Sequence, residues 1–229
     1  MDTANSSQLI TVFDGALTIR GKPRPGRDFP FEATFILDHP SFRQFRSAKP
    51  PRHLHPYQEE YVQVLEGALV LEIEGREHVV RPEDGEFTIA PWTIHRLYTP
   101  PAEAGSGAAT AGSNVVRFMA SGEEAQEAFN MDLLFFENWY GYQNEAIRNR
   151  RSIDLIQAMC TFDAGGSYLT LPPYFPFRRI LSRAAGVVIG RWLGELLGYR
   201  PFHREWSSDW SSAKAKMQQS EFYRKGGSE

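Results

Sequence analysis

The sequence predicts a mostly β, antiparallel domain followed by packed helices, and three observations support this fold class. Short apolar runs such as EYVQVLEG and ALVLEIEG recur from about residue 8 to residue 120. Turn-forming stretches such as GKPRPG and RPEDG separate these runs, as in antiparallel sandwiches and barrels. After about residue 122 the spacing of the apolar residues becomes helical. We therefore expect a β-barrel over residues 1–121 and a helical extension over residues 122–229.

Composition limits the class of protein. The chain has 229 residues, of which 41% are hydrophobic, enough for one sizeable core with an appended subdomain. The net charge of −3 and the lack of a basic stripe argue against a nucleic-acid partner. The single cysteine excludes an internal disulfide, and no secretory signal or membrane span is recognisable. These features predict a cytoplasmic protein.

Within the barrel, residues 101–114 read PAEAGSGAATAGSN, and these small, polar residues predict a flexible loop between two late strands. An ordinary surface insertion and a mobile flap are both compatible with this composition. In the helical part, one helix is predicted to begin at Glu123, because acidic residues suit a first turn. Ser152 is predicted to cap the next helix.

The last predicted helix, residues 178–200, has two distinct faces. Small residues recur every four positions, which allows another backbone to approach closely. We expect this helix to pack against the barrel, a neighbouring helix or a second subunit, and flanking arginines leave contact with a membrane surface as a minor alternative. The glycines are Gly186, Gly190, Gly194 and Gly198, and the apolar stripe comprises Leu181, Ala185, Val188, Trp192 and Leu196.

Titratable side chains concentrate in the stretch PRHLHPYQEEYVQVLEG, residues 51–67. His53 and His55 point the same way if the backbone is extended, because strand side chains alternate. Two further strands and two turns separate them from His95, enough to return His95 beside them in a closed antiparallel barrel. Three imidazoles and the carboxylate of Glu60 would suit a borderline divalent metal: Fe, Mn, Ni, Cu or Zn. Its neighbour Glu59 is the rival carboxylate and should point outward.

These residues resemble the two motifs of the cupin superfamily. HLHPYQEEYVQVLEG is similar to the first motif, His-x-His, a spacer, Glu, six residues and Gly, and GEFTIAPWTIH is similar to the second, from Gly85 to His95. The resemblance covers residues 35–120 and implies a double-stranded β-helix, or jelly-roll. It implies that His53, His55, Glu60 and His95 are the metal ligands and the catalytic residues. Where the family often has Pro-x-Gly before the last histidine, this sequence has Ala90 and Trp92.

The functional prediction rests on that site and on the residues near it. Tyr57, Val62, Val64, Trp92 and Leu97 are the predicted substrate pocket, whose apolar character favours a polyketide-like or aromatic carbonyl compound. The resemblance implies either redox or proton chemistry, and we expect a metal-dependent lyase or isomerase that dehydrates or isomerises this compound, with Glu60 as base. A metal-dependent dioxygenase and a non-catalytic small-molecule-binding protein are the alternatives. The helical part is loosely similar to extensions of fungal cupins of secondary metabolism, and cupins commonly form homodimers.

Overall fold

Two antiparallel sheets form the first of two units into which this computed structural model divides. The first unit comprises residues 1–52 and 58–124, and the second comprises residues 53–57 and 125–229. The structure describes residues 9–43, 49–100 and 114–220, so the predicted loop at 101–114 lies outside the described residues except for Asn114. The boundary predicted from the sequence, between a barrel over residues 1–121 and a helical extension over residues 122–229, stays a prediction.

The first unit contains a six-stranded sheet in the order β1-β2-β3-β10-β5-β8 and a second group in the order β9-β6-β7. All of the paired strands in the unit run antiparallel. A short helix, α1, spans Pro40–Arg43. The strands are β1 Leu9–Val12, β2 Leu17–Gly21, β3 Asp28–Ile36, β5 Glu60–Glu66, β6 Leu69–Ile73, β7 Arg76–Val80, β8 Glu86–Ile89, β9 His95–Tyr98 and β10 Val115–Gly122.

The alternation of side chains along β5 and β10 builds the core of this unit. In β5, Val62 and Val64 are buried, whereas Tyr61 and Gln63, which precede each of them, are partly exposed. Phe118 of β10 pairs with Val64 in register and contributes its ring to the same core. Period-two patterning of this kind is what the sequence predicts for strands with one buried face.

Gly67 makes the tight turn between β5 and β6 possible. Its φ angle of +76° lies in the left-handed region, where side chains other than glycine are strained. A Cβ at this position would lie 2.7 Å from the carbonyl oxygen of Val115, which is backbone and cannot move aside. The glycine that ends the first motif is therefore required by the packing of β10 against this turn.

The second unit is mostly helical. It begins with the short strand β4, His53–Leu54, which pairs antiparallel with β11, Tyr168–Leu169. Its helices are α2 Leu133–Arg148, α3 Leu155–Ala164, α4 Arg178–Ala185, α5 Gly194–Leu197 and α6 Trp210–Met217, with a π-helical segment, Gly186–Leu193, joining α4 to α5. These helices after the sheets, together with the sheets themselves, confirm the predicted fold class.

The helix starts predicted from acidic residues and from Ser152 are wrong. Asp132 caps α2 by accepting a hydrogen bond from the backbone N–H of Phe135, and Asp154 caps α3 in the same way. The chain at Glu123 is not helical, and its N–H donates instead to the carbonyl of Glu59.

The last helical stretch packs through its glycines. A Cβ on Gly190 would lie 2.5 Å from the carbonyl oxygen of Met159 in α3, and one on Gly186 would meet the ring of Tyr168. The glycine face of this stretch therefore packs closely against a neighbouring helix, one of the predicted arrangements. The apolar stripe behaves differently, since Leu181, Val188, Trp192 and Leu196 are exposed. Among the described helices, none has the length and apolar composition to cross a membrane.

Candidate metal centre

Three imidazoles converge at the candidate site. His55 and His95 are buried and His53 is partly buried. Each offers one ring nitrogen, and these three nitrogens lie within 4.8 Å of one another. Two nitrogens bound to one ion at about 2.1 Å are separated by at most about 4.2 Å, so the observed spacing is close to what a single ion requires. The three histidines could therefore hold a metal ion.

The first motif places a carboxylate against the histidine of the second motif. His95 Nε2 and Glu60 Oε2 lie 3.0 Å apart, while Nδ1 of the same ring lies 2.9 Å from the carbonyl oxygen of Thr93. A carbonyl oxygen can only accept, so Nδ1 carries a proton, and Nε2 is the ring nitrogen that faces Glu60. At 3.0 Å, either a proton between Nε2 and the carboxylate or a cation bound by both would hold them together. The donor set therefore fits a divalent transition metal.

The two adjacent glutamates have different surroundings. Glu59 accepts a hydrogen bond of 2.6 Å from the hydroxyl of Tyr61, two residues further along the chain. This hydrogen bond raises the pKa of Tyr61. Glu60 instead reaches His95 and begins β5, in which Val62 is the next residue on the same face. Glu60 is the carboxylate that the structure brings to a histidine of the site.

The five predicted pocket residues occupy different positions. Val62 and Val64 are buried on β5, and Leu97 is partly buried two residues after His95. Tyr57 is partly buried, and its hydroxyl accepts a 2.8 Å hydrogen bond from Nε of Arg183. Trp92 is exposed in the turn before β9. Their role as walls of a substrate pocket stays a prediction.

Trp92 explains how the second motif tolerates its departure from the family pattern. Its φ angle is +66°, a left-handed conformation that favours glycine. The turn is closed by a hydrogen bond of 3.2 Å from the N–H of Thr93 to the carbonyl of Ala90. The turn into β9 is therefore made without a glycine, at the cost of backbone strain in an aromatic residue.

A buried acid that the sequence analysis did not select organises the residues beside the ligands. Glu72 on β6 accepts hydrogen bonds from Arg52, which precedes His53, and from Arg96, which follows His95. Burial alone would raise the pKa of Glu72, but the two arginines outweigh burial and lower it. Arg96 and His95 are neighbours in β9 and point to opposite faces, so Arg96 binds Glu72 away from the face of His95. The sequence signal was a lone acid within the apolar run LVLEI.

His53 has an aromatic neighbour on α3. Its ring lies 5.9 Å from the ring of Phe162, centroid to centroid, at a nearly perpendicular angle of 83°. Phe162 is itself packed edge-to-face against Phe135 and Trp139 of α2. Such edge-to-face packing restricts the orientation of a ring. Phe162 therefore holds the imidazole of His53, a role that sequence spacing alone does not reveal.

Comparisons with known proteins identify the family of this chain. The cupin domain family matches residues 46–104. The chain is 41% identical to the probable oxidoreductase yanE of Aspergillus niger, over 94% of this chain and 82% of the relative. It is 35% identical to the epoxidase atD of Aspergillus terreus, over 91% of this chain and 66% of the relative. An RmlC-like cupin structure from Shewanella frigidimarina is 15% identical, with a TM-score of 0.36 over 56% of this chain and 94% of that one.

The names of the relatives support an enzyme, and they leave the reaction open between oxidoreductase and lyase or isomerase chemistry. The match of the cupin domain spans both histidine motifs, from before His53 to after His95. Close identity over nearly the whole chain extends the relationship beyond these motifs into the helical part. The chain belongs to the cupin superfamily, together with these fungal oxidoreductases.

Proposed function

We propose that this protein is a metal-dependent oxidoreductase that acts on a small, largely apolar carbonyl, polyketide-like or aromatic compound of fungal secondary metabolism. The observation that carries the proposal is the convergence of three imidazole nitrogens within 4.8 Å, with Glu60 at the third ring. The sequence alone favours proton chemistry. The relatives named oxidoreductase and epoxidase support redox chemistry as the first candidate.

The chain's own residues have separable tasks in this proposal. His53, His55 and His95 hold the ion, and the carbonyl of Thr93 keeps the proton of His95 on Nδ1 so that Nε2 is available. Bound there, a divalent transition metal would supply Lewis acidity and, if it is redox-active, would pass electrons from the substrate to dioxygen, the oxidant. Glu60, whose side chain is 13% exposed, either adds a fourth ligand or accepts a proton from the substrate. Val62 and Val64 keep the interior next to Glu60 apolar.

A second candidate is dehydration or isomerisation without change of oxidation state. The position of Glu60 favours it, because a carboxylate beside a metal ligand can act as a general base on a carbon next to a carbonyl group. A third candidate, a binding protein without catalysis, uses the same ligands and pocket. The three candidates differ in what they require of dioxygen and in whether product appears.

Removal of a ligand tests the metal site directly. We expect His53→Ala and His95→Ala to lose metal affinity by at least about 100-fold, because each removes one of three nitrogen donors. Metal content by elemental mass spectrometry and affinity by titration calorimetry measure the loss. His78→Ala is the matched control, because His78 is an exposed histidine on β7 outside the cluster. Unchanged metal content in both ligand variants would remove the basis of the proposal.

Turnover separates the candidates. The metal-loaded enzyme is incubated with a panel of aromatic and polyketide-like carbonyl compounds, with and without dioxygen, and products are identified by mass spectrometry. Oxygen-dependent turnover supports the oxidoreductase. Product formed equally well without oxygen, with no change of oxidation state, identifies the lyase or isomerase instead. Tight ligand binding without product identifies the binding protein.

A further inference from the structure

Exposed apolar side chains are concentrated in one segment of the second unit. Ten of the fourteen large hydrophobic residues that are exposed in the described part of the chain lie between residues 174 and 197. We call this surface the 174–197 face. Its members are Tyr174, Phe175, Phe177, Ile180, Leu181, Val188, Trp192, Leu193, Leu196 and Leu197.

The exposure follows from the way in which this helical stretch packs. Its small residues face inward, where Gly186 meets Tyr168 and Gly190 meets the backbone of α3 at Met159. Because this side is in close contact with the rest of the unit, the larger apolar residues are left on the opposite side. Tyr174 is 78% exposed and Phe177 is 80% exposed. Large apolar side chains that are exposed in such numbers within one segment indicate an interaction site.

The charge around the face is positive, although the chain as a whole carries −3. Between residues 164 and 200 the sequence has five arginines, no lysine and a single acid, Glu195. Glu195 is buried and accepts a hydrogen bond of 2.7 Å from the hydroxyl of Ser220, so it adds little negative charge to the surface. Arg191 is neutralised by its ion pair with Asp163. The other arginines in this stretch of the sequence are Arg178, Arg179, Arg183 and Arg200.

We propose that the 174–197 face docks on the surface of an anionic phospholipid bilayer. Apolar and aromatic residues flanked by arginines, with no exposed acid among them, are the composition of helices that lie in the interface between headgroups and acyl chains. Tyr174 and Trp192 are of the side-chain types that are enriched at this depth. The helix lies on the bilayer, because its glycine face is in contact with α3 and only the opposite side is available to lipid.

A second copy of the chain fits this face less well. A symmetric dimer would place the same surface of each copy against the other and bring two sets of arginines together. The repulsion would oppose the gain from burying apolar area, whereas anionic headgroups neutralise the same charges. The chemistry of the face therefore favours lipid.

Sedimentation of the full-length protein with vesicles tests the proposal. We expect binding to vesicles of phosphatidylcholine with phosphatidylserine, and at least tenfold weaker binding to phosphatidylcholine alone. The double variant Phe177→Ser/Ile180→Ser should bind the anionic vesicles at least about tenfold more weakly, because it removes two exposed apolar groups that would enter the bilayer. Circular dichroism verifies that the variant is folded.

Val79→Ser is the matched control, since Val79 is exposed to a similar degree on β7, outside the face. We expect it to bind anionic vesicles as the parent does. Equal binding of the parent and the Phe177/Ile180 variant would overturn the proposal. A parent protein that does not bind vesicles but forms a dimer in analytical ultracentrifugation, with the dimer disrupted in this variant, would also overturn the proposal. Vesicle binding that appears only after removal of residues 221–229 would assign the face to that segment and overturn the proposal too.

Discussion

Strand β5 and the last helical stretch, residues 178–197, use apolar residues in opposite ways. In β5 the apolar side chains Val62 and Val64 are buried, and partly exposed side chains separate them. In the helical stretch Gly186 and Gly190 are buried, while the apolar Val188 between them is exposed. A sheet packs through its side chains at a distance, whereas glycines allow backbone to touch backbone. In β5 the pattern of apolar residues therefore marks the side chains that enter the core, whereas in the helix it marks side chains on the outer surface.

The largest expected effect is at Gly190. We expect Gly190→Ala to lower the free energy of unfolding by about 3 kcal/mol, because the new Cβ would lie 2.5 Å from a backbone oxygen of Met159. Urea denaturation measures the change. Gly194→Ala is the matched control: its Cβ would make ordinary contacts, the nearest at 3.5 Å, so helix propensity should raise stability by about 0.5 to 1 kcal/mol. Equal effects at both glycines would contradict backbone contact as the cause.

The same valine-to-alanine change should have different effects in the two regions. Val62→Ala is expected to cost about 2 kcal/mol, since it leaves a cavity at a side chain that is 1% exposed. Val188→Ala is expected to stay within about 0.5 kcal/mol, since that side chain is 46% exposed. Thermal and urea unfolding of both variants test the comparison. A comparable loss at Val188 would mean that something covers the helix in solution.

The smallest expected effect concerns the pH dependence contributed by Glu195. Burial raises the pKa of Glu195 above its ordinary value of 4.5, which the hydrogen bond from Ser220 only partly opposes. A raised pKa means that the folded state holds the proton more tightly than the unfolded state, so stability is lost as pH rises above 4.5. Glu195→Gln cannot ionise, and its stability relative to the parent should increase from about pH 4 to about pH 7.

Urea unfolding across this pH range measures the difference between parent and variant. Glu83→Gln, at an exposed position before β8, is the control and should leave the pH dependence unchanged. A Glu195→Gln variant whose stability runs parallel to the parent at every pH would contradict the raised pKa. If the stability of the variant relative to the parent decreases as pH rises, the pKa of Glu195 is lowered in the folded state and not raised.

Much of the fold follows from local sequence rules. The histidine motifs are bounded by Gly67 and Gly85, and both glycines have positive φ angles that the turns require. The alternation in β5 predicts which glutamate shares the face of Val62. These features depend on backbone geometry within a few residues, which a single sequence expresses directly.

Other features depend on distant contacts that local spacing does not reveal. Acidic residues predict a helix start at Glu123, but the N–H of Glu123 donates to Glu59, on a distant part of the chain, and no helix begins there. The contact between Phe162 and His53 joins residues more than one hundred positions apart. The role of Glu72 does not show in its own stretch of sequence, because its two arginine partners come from separate segments.

The link from Arg52 through Glu72 to Arg96 has a consequence for how an ion would be selected. The arginines flank His53 and His95 in sequence, and their shared partner Glu72 is 2% exposed. In the proposed metal site, these charged partners would restrain the residues next to His53 and His95 without using any of the atoms proposed to bind the metal. An ion would then be selected by its fit to ligands that the protein already holds in place.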